Sequence, residues 1–143
     1  MMGYTTRSYG RMIGEGSRTA AYVEALRRAV TPGSVVLDVG TGTGFFALLA
    51  CRLGAARVYA IEPADAIHVA RQCAGSETEP ERIVWLQARS TEVDLPERVD
   101  VIVSDLRGVL PFFAGSVSGL IDARRRHLKQ GGHSVTRRAI AIR

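Results

Sequence analysis

Short apolar runs alternate along the chain with segments in which apolar residues recur at helical spacing. Four runs have the length and composition of buried strands, and they lie at residues 35–37, 57–61, 82–87 and 99–104. Helical patterns occupy residues 17–29, 45–53, 65–73 and 115–129. The last helix is expected to stop at Gly131 and Gly132, after which residues 133–143 can add one more strand.

This alternation predicts an α/β domain with a parallel sheet of about five strands flanked by helices. Right-handed crossovers would then bring the carboxyl ends of all strands to one edge of the sheet. Residues 1–16 are rich in glycine, tyrosine and polar residues and show neither period, so we expect a flexible lead-in. Residues 17–143 are expected to form the single domain.

A turn of alternating glycines follows the first strand directly. The strand ends at Asp38, and Gly40, Gly42 and Gly44 come next. Such a turn lets the backbone lie against a nucleotide-type ligand. Residues 42–47 formally fit the dinucleotide pattern G-x-G-x-x-G/A, so a nicotinamide or flavin cofactor has to be considered.

Two acidic residues bear on the choice of ligand. Asp38 would repel a pyrophosphate, whereas it would attract the ammonium and sulfonium groups of S-adenosylmethionine. Glu62, at the end of the second strand, can accept the ribose hydroxyls of either cofactor. Ser90 and Thr91 follow the third strand and Asp105 follows the fourth, so polar residues converge at the edge where open α/β sheets bind ligands.

Composition sets outer bounds. There is no apolar run of about 18 residues and no signal-peptide pattern, which predicts a soluble, cytoplasmic protein without membrane contact. Cys51 and Cys73 show no metal-ligand spacing and are expected to be buried, reduced thiols, with no metal bound. The net charge is +5, but 18 of the 19 basic residues are arginine. That skew indicates codon bias, and no basic run with interleaved aromatics supports a nucleic-acid partner.

The motifs VLDVGTGTG, VYAIEP and VDVIVSDLRG resemble class I S-adenosylmethionine-dependent methyltransferases, which have a Rossmann-like fold. The resemblance is to the catalytic half of the protein arginine methyltransferases and runs from about Tyr9 to Gly132. Residues 12–22 are similar to that family's amino-terminal helix, in which a methionine and an arginine six residues later meet the cofactor. The resemblance therefore implies that Arg18 pairs with the cofactor's carboxylate.

The resemblance also implies roles for the strand-end residues. Asp38 would lie near the cofactor's amino group, Gly40 beneath the cofactor and Glu62 on the ribose diol. Thr91 would meet the adenine edge, where the family often has a glutamate, and Tyr9 stands where it commonly has a histidine. The predicted cofactor site is completed by Thr41, Gly42, Gly44, Pro63 and Ser90.

The acceptor side matches the family less well. Arginine methyltransferases orient the substrate guanidinium with two glutamates, and the corresponding positions here are Asp105 and Ala114. Arg107 adds a positive charge in the same loop. We therefore expect that arginine is not the acceptor, and that Asp105, as the catalytic residue, positions a smaller or less cationic nucleophile.

The resemblance further implies a larger sheet and a substrate-binding β-barrel that this sequence does not supply. We therefore expect a truncated chain with an incomplete sheet, whose exposed edge could mediate homo-oligomer formation. The alternative to an active methyltransferase is a non-catalytic remnant that binds the cofactor or a partner protein without turnover.

Overall fold

The computed structural model describes residues 16–75, 81–105 and 114–136, and the fold below refers to these ranges. The four helices are α1 (Gly16–Ala29), α2 (Phe45–Arg52), α3 (Ala66–Ala74) and α4 (Ala114–His127). The five strands are β1 (Val35–Val39), β2 (Arg57–Ile61), β3 (Ile83–Leu86), β4 (Val99–Ser104) and β5 (Leu128–Thr136). A short 3-10 turn, Ser90–Glu92, follows β3.

All five strands are parallel, and their order in the sheet is β3-β2-β1-β4-β5. The prediction of a parallel Rossmann-like sheet is therefore confirmed. The chain moves outward from β1 to β3 on one side and continues with β4 and β5 on the other. The crevice between the carboxyl ends of β1 and β4 is thus the topological switch point, where such sheets bind ligands.

Helices cover both faces of the sheet, as strands buried on both sides require. Tyr22 and Leu26 of α1 pack with Ala47 and Ala50 of α2 on one face. Ala123 of α4 packs on the other face, against a second apolar cluster that contains Leu37, Tyr59, Ile61 and Ile102. The core therefore lies in two layers, and the sheet edge that carries the strand ends lies between them.

The predicted role of Gly131 and Gly132 as a helix stop is wrong. Helix α4 ends earlier, at His127, and both glycines lie inside β5. They occupy an irregularity in which Val99 pairs with Leu128 but Val101 pairs with His133. A Cβ atom on Gly132 would lie 2.6 Å from a Leu128 methyl carbon and 2.9 Å from the Asp100 carbonyl oxygen, so the close approach requires glycine.

Other boundaries differ less. Helix α1 begins at Gly16, one residue before the predicted domain start, and β5 begins at Leu128 instead of 133. Of the two cysteines, Cys51 is buried as expected, but Cys73 is exposed. Helix α3 turns its alanines and Ile67 toward the sheet, which leaves Cys73 on the outer side. The expected lead-in, with Tyr9, and the loop residue Arg107 lie outside the described residues.

Within the described ranges, none of the helices has the length and apolar character needed to cross a bilayer. The same part of the chain holds no cluster of three or more His, Cys, Asp or Glu side chains that could hold a metal ion.

Candidate functional site

The glycine turn after β1 is fastened to the end of the neighbouring strand. The backbone N–H groups of Gly40 and Thr41 both donate to the carbonyl oxygen of Ile61, at 2.8 and 2.9 Å. Gly40, Gly42 and Gly44 have φ angles of 72°, 58° and 83°, a region that favours glycine. The turn is therefore preformed at the switch point, with β2 holding it in place.

Gly44 has a packing reason to be glycine in addition to its backbone conformation. A Cβ atom there would lie 2.9 Å from the ring of Trp85 and 3.0 Å from the Cβ of Ala70. The last glycine of the turn thus lets α2 begin in close contact with β3 and α3. Its predicted place in a cofactor site stays a prediction.

Asp38 is buried beneath the turn, with a relative exposure of 1%. Thr41 donates a hydrogen bond from its hydroxyl to Oδ2 of Asp38 at 2.7 Å. The pKa of Asp38 is raised to about 7, chiefly by burial and to a smaller extent by the negative charges of Glu62 and Asp105, while the Thr41 bond opposes the rise. A cation placed near this carboxyl would therefore be attracted by it and would favour its ionised form.

Glu62 at the end of β2 is also buried, and its carboxylate supports the turn. Oε1 accepts a hydrogen bond from the Gly42 N–H at 3.0 Å, and Oε2 accepts one from the Ala64 N–H at 2.9 Å. Pro63, next in sequence, is exposed at the entry to α3. Glu62 is thus oriented by backbone N–H groups of the glycine turn and of the segment before α3.

The remaining predicted residues lie at the ends of the other strands. Ser90 and Thr91 belong to the 3-10 turn after β3, in which Ser90 is half-buried and Thr91 is exposed. Asp105 directly follows β4 and is half-buried. Arg18 lies in the first turn of α1, and its predicted ligand contact falls outside the described side chains.

Two residues with a bearing on the site were missed at the level of sequence. The hydroxyl of Tyr22 donates to the carbonyl oxygen of Ser104, next to Asp105, across 82 positions of the chain. Arg126 of α4 contacts the turn after β3. In the sequence Tyr22 is one of several apolar positions in the helical pattern at residues 17–29, and Arg126 is one of 18 arginines, so neither stands out without the fold.

The structure thus brings three acidic side chains to the ends of three adjacent strands. Asp38 on β1 has Glu62 after β2 on one side and Asp105 after β4 on the other. They are close enough that the charges of the last two act on Asp38. An anionic pyrophosphate would be repelled here, while the ammonium and sulfonium charges of a cationic ligand would be attracted.

Comparisons with known proteins agree with this chemistry. A family model described as ribosomal protein L11 methyltransferase (PrmA) matches residues 13–138. The probable protein arginine N-methyltransferase 6 of Arabidopsis thaliana is 34% identical over 123 residues, which cover 85% of this chain and 28% of that protein.

Solved structures show the same relationship. The Trypanosoma brucei PRMT1 enzyme-prozyme heterotetrameric complex with AdoHcy is similar with a TM-score of 0.81 and 26% identity, over 89% of this chain and 41% of that chain. Protein arginine methyltransferase 10 of Arabidopsis thaliana gives a TM-score of 0.80 and 30% identity, over 88% of this chain and 37% of that chain. The chain therefore spans less than half the length of each of these relatives.

The relatives bear on two predictions. Their family and the AdoHcy-bound structure support S-adenosylmethionine as the cofactor. Because the relatives are named as arginine methyltransferases, the prediction that arginine is not the acceptor gains no support. The chain belongs to the methyltransferase family described by the ribosomal protein L11 methyltransferase (PrmA) model, as a class I S-adenosylmethionine-dependent methyltransferase that resembles the protein arginine methyltransferases.

Proposed function

We propose that this chain binds S-adenosylmethionine at the carboxyl ends of β1, β2 and β4 and presents its methyl group to an acceptor beside Asp105. The observation that carries the proposal is the row of three acids, Asp38, Glu62 and Asp105, with Asp38 fully buried and its pKa raised to about 7. Burial and the charges of Glu62 and Asp105 disfavour the ionised form of Asp38, so such a site favours a ligand that supplies positive charge.

Within this site each residue contacts a different part of the cofactor. Asp38 faces the ammonium group, Gly40, Thr41, Gly42 and Gly44 form the turn beneath the ligand, and Glu62 accepts the ribose hydroxyls. Pro63 borders the ribose, and Ser90 with Thr91 borders the adenine. Arg18, near the start of α1, pairs with the carboxylate. The roles of Arg18, Asp38, Gly40, Glu62 and Thr91 follow the family resemblance, those of Pro63 and Ser90 follow from their neighbours Glu62 and Thr91, and the positions of the strand ends support them.

The bound cofactor supplies a sulfonium methyl group that a nucleophile can take directly. The contribution of the protein is then alignment, since an in-line approach at close distance gives most of the acceleration and a general base is optional. In this proposal Asp105 accepts a hydrogen bond from the acceptor and turns its lone pair toward the methyl group, and the position of Asp105 after β4, the neighbour of β1, supports this role.

The class of acceptor is a second part of the proposal. Asp105 gives one carboxylate for a guanidinium, and the named activity of the relatives makes protein arginine the first acceptor to be tested. Arg107, which argued against arginine, lies outside the described residues, and so does the side chain of Ala114. A smaller or less cationic acceptor is the competing choice.

Calorimetric titration of the 143-residue chain with S-adenosylhomocysteine and with NAD tests the cofactor. We expect heat with the first and none with NAD, and the opposite result would overturn the assignment. Glu62→Ala should weaken binding of S-adenosylhomocysteine at least about tenfold, a loss of about 1.4 kcal/mol. Glu24→Gln, which changes an exposed carboxylate in α1, should leave the dissociation constant unchanged.

A tritiated-methyl transfer assay tests turnover. Glycine-arginine-rich peptides are compared with the same peptides in which lysine replaces arginine, each with the wild-type chain and with Asp105→Ala. Label that depends on both arginine and Asp105 supports arginine as the acceptor. Cofactor binding without label on any peptide or small-molecule acceptor would favour the alternative of a binding protein without turnover.

A further inference from the structure

One arginine joins the turn after β3 to helix α4. Nη2 of Arg126 donates to the carbonyl oxygen of Val93 at 2.7 Å and also pairs with Asp94. Nη1 donates to Asp122 at 2.9 Å and, at 3.5 Å, reaches the carbonyl oxygen of Thr91. The guanidinium therefore contacts both α4 and the segment that contains the predicted adenine-edge residue.

These contacts of Arg126 differ in how much they contribute to stability. The side chain of Asp94 is 93% exposed, and an ion pair in that setting contributes little. Asp122 lies one turn earlier on the same helix, so its bond mainly orients the guanidinium fork. The charge-assisted bond to the Val93 carbonyl, supported by the longer one to Thr91, is what joins two parts of the chain 33 and 35 positions apart.

Helix α4 meets this segment at two further points. The imidazole of His127 is buried and also hydrogen-bonds to the backbone of Val93. One end of the turn comes close to Gly119, where a Cβ atom would lie 3.5 Å from Oγ of Ser90. The helix thus borders the turn at Ser90 and holds it at Val93, on either side of Thr91.

The turn itself is short. It is a single 3-10 turn, closed by backbone bonds of 3.0 Å from Glu92 to Arg89 and 3.4 Å from Val93 to Ser90. Short 3-10 segments have poor hydrogen-bond geometry, and Thr91 is exposed at its centre. The bonds that Arg126 donates to the carbonyl oxygens of Thr91 and Val93 therefore contribute to its conformation, beside the packing of Val93 in the apolar core.

We propose that Arg126 is a positioning residue for adenine recognition, which holds the turn Ser90–Glu92 in the orientation that reads the base. This inference rests on the proposed function, because the adenine contact of Ser90 and Thr91 is itself proposed. A turn that is already ordered loses less conformational freedom when the ligand binds. It also keeps its acceptor groups directed at the adenine amino group, so Arg126 affects both affinity and the choice of base.

The test compares two ligands in calorimetric titrations. S-Adenosylhomocysteine carries the adenine amino group, and S-inosylhomocysteine carries a carbonyl oxygen in its place. Arg126→Met keeps the aliphatic stem and removes the fork, and Arg126→Lys keeps the charge without the fork. Arg125→Met is the matched control, because Arg125 is exposed on the same turn of α4 and the substitution keeps its backbone carbonyl, which Arg98 contacts.

We expect Arg126→Met to weaken binding of S-adenosylhomocysteine about fivefold or more and to reduce its preference over S-inosylhomocysteine by a similar factor. Arg126→Lys should show part of both effects, and Arg125→Met neither. A folded Arg126→Met variant with unchanged affinity and preference would overturn the inference. So would a variant whose melting temperature falls while the preference stays the same, since that is a purely structural role.

Two other outcomes are also decisive. If Arg126→Met does not fold, Arg126→Lys decides the question, and an unchanged base preference in it counts against the inference. If the wild-type chain binds neither nucleoside ligand, the proposed function fails first and the role of Arg126 fails with it. Binding by the wild type with no effect of Arg126 removes the inference alone.

Discussion

The hydroxyl of Tyr22 donates a hydrogen bond to the carbonyl oxygen of Ser104 at a distance of 3.2 Å. The Tyr22 ring is fully buried and lies against Phe46 of α2, with 5.1 Å between ring centroids. One side chain of α1 therefore contacts both α2 and the last residue of β4, beside Asp105. Since Arg18 lies one helical turn before Tyr22, this bond also sets where the first turn of α1 stands relative to the strand ends.

Tyr22→Phe tests this link, because it removes the hydroxyl and keeps the packed ring. We expect a loss of about 1 to 2 kcal/mol in the free energy of unfolding, since the Ser104 carbonyl is left without this buried donor. We also expect weaker S-adenosylhomocysteine binding, by about threefold, because a contact that couples two sides of the site is lost. Urea unfolding and calorimetric titration measure the two effects.

Tyr59→Phe is the control for that variant. The Tyr59 hydroxyl donates to Glu97 at 2.7 Å, and Glu97 precedes β4 at the opposite edge of the sheet. Its loss should cost stability without a change in ligand affinity. Equal affinities for wild type and Tyr22→Phe would show that the Tyr22 bond supports the fold alone.

Gly44→Ala should destabilise the protein more than Gly33→Ala does. At φ 83° an alanine is strained, and its Cβ would also lie 2.9 Å from the Trp85 ring, so a loss of about 2 to 4 kcal/mol is expected. Gly33→Ala separates the two causes, because Gly33 has φ 90° but nothing within 4 Å of its Cβ position. Urea unfolding followed by far-UV circular dichroism should show the smaller loss, about 1 to 2 kcal/mol, for Gly33→Ala. Equal losses would mean that Trp85 yields to the added methyl group.

The sheet and the acidic strand ends were accessible from the sequence because both follow from local patterns. Apolar runs of strand length bounded by turn residues gave β2 and β4 at their observed limits. Asp38 and Glu62 could be placed at one edge because parallel strands share the direction of their carboxyl ends. That argument needs only the order of elements along the chain.

The features that the sequence did not predict depend on contacts between residues far apart in the chain. Gly131 and Gly132 have the local signature of a helix stop, but the tight approach of Gly132 to Leu128 and to the Asp100 carbonyl places them in a strand irregularity. The second function of Glu62, as the acceptor for the Gly42 N–H, likewise requires that β1 and β2 be neighbours. Sequence periodicity carries no such information about pairing.

The raised pKa of Asp38 predicts how stability changes with pH. The ordinary value is 3.8 and the folded value about 7, so the folded chain binds the extra proton between these limits. The stabilising contribution is fully present below about pH 4 and is lost as the pH rises toward 7. Asp38→Asn is a neutral mimic of the protonated side chain, so it should match wild type near pH 4 and be the more stable protein at pH 8.

The comparison between the two proteins is needed because His127 acts in the opposite direction. Burial lowers the pKa of His127 from 6.5. The stabilising contribution of His127 to the free energy of unfolding therefore grows as the pH rises from the lowered folded pKa to 6.5. Taking the difference between Asp38→Asn and wild type removes this common effect. Unfolding in urea at pH 5, 6, 7 and 8 measures the difference in the free energy of unfolding between the two proteins. A difference that does not grow with pH would contradict burial of Asp38 as a protonated carboxyl.

The same proton gives a signature for cofactor binding. At pH 6, below the raised pKa of about 7, much of the unliganded chain has Asp38 protonated. A cofactor ammonium group near Asp38 favours the ionised carboxylate and lowers its pKa, so binding should release a fraction of a proton.

Calorimetric titration with S-adenosylhomocysteine at pH 6, in two buffers of different ionisation enthalpy, measures the number of protons released. For wild type the two apparent enthalpies should differ. In Asp38→Asn at pH 6 they should coincide, because the carboxyl that loses the proton is absent. A proton count near zero for wild type at pH 6 would place the ligand's ammonium group away from Asp38, whereas a count that persists in Asp38→Asn would assign the released proton to another group.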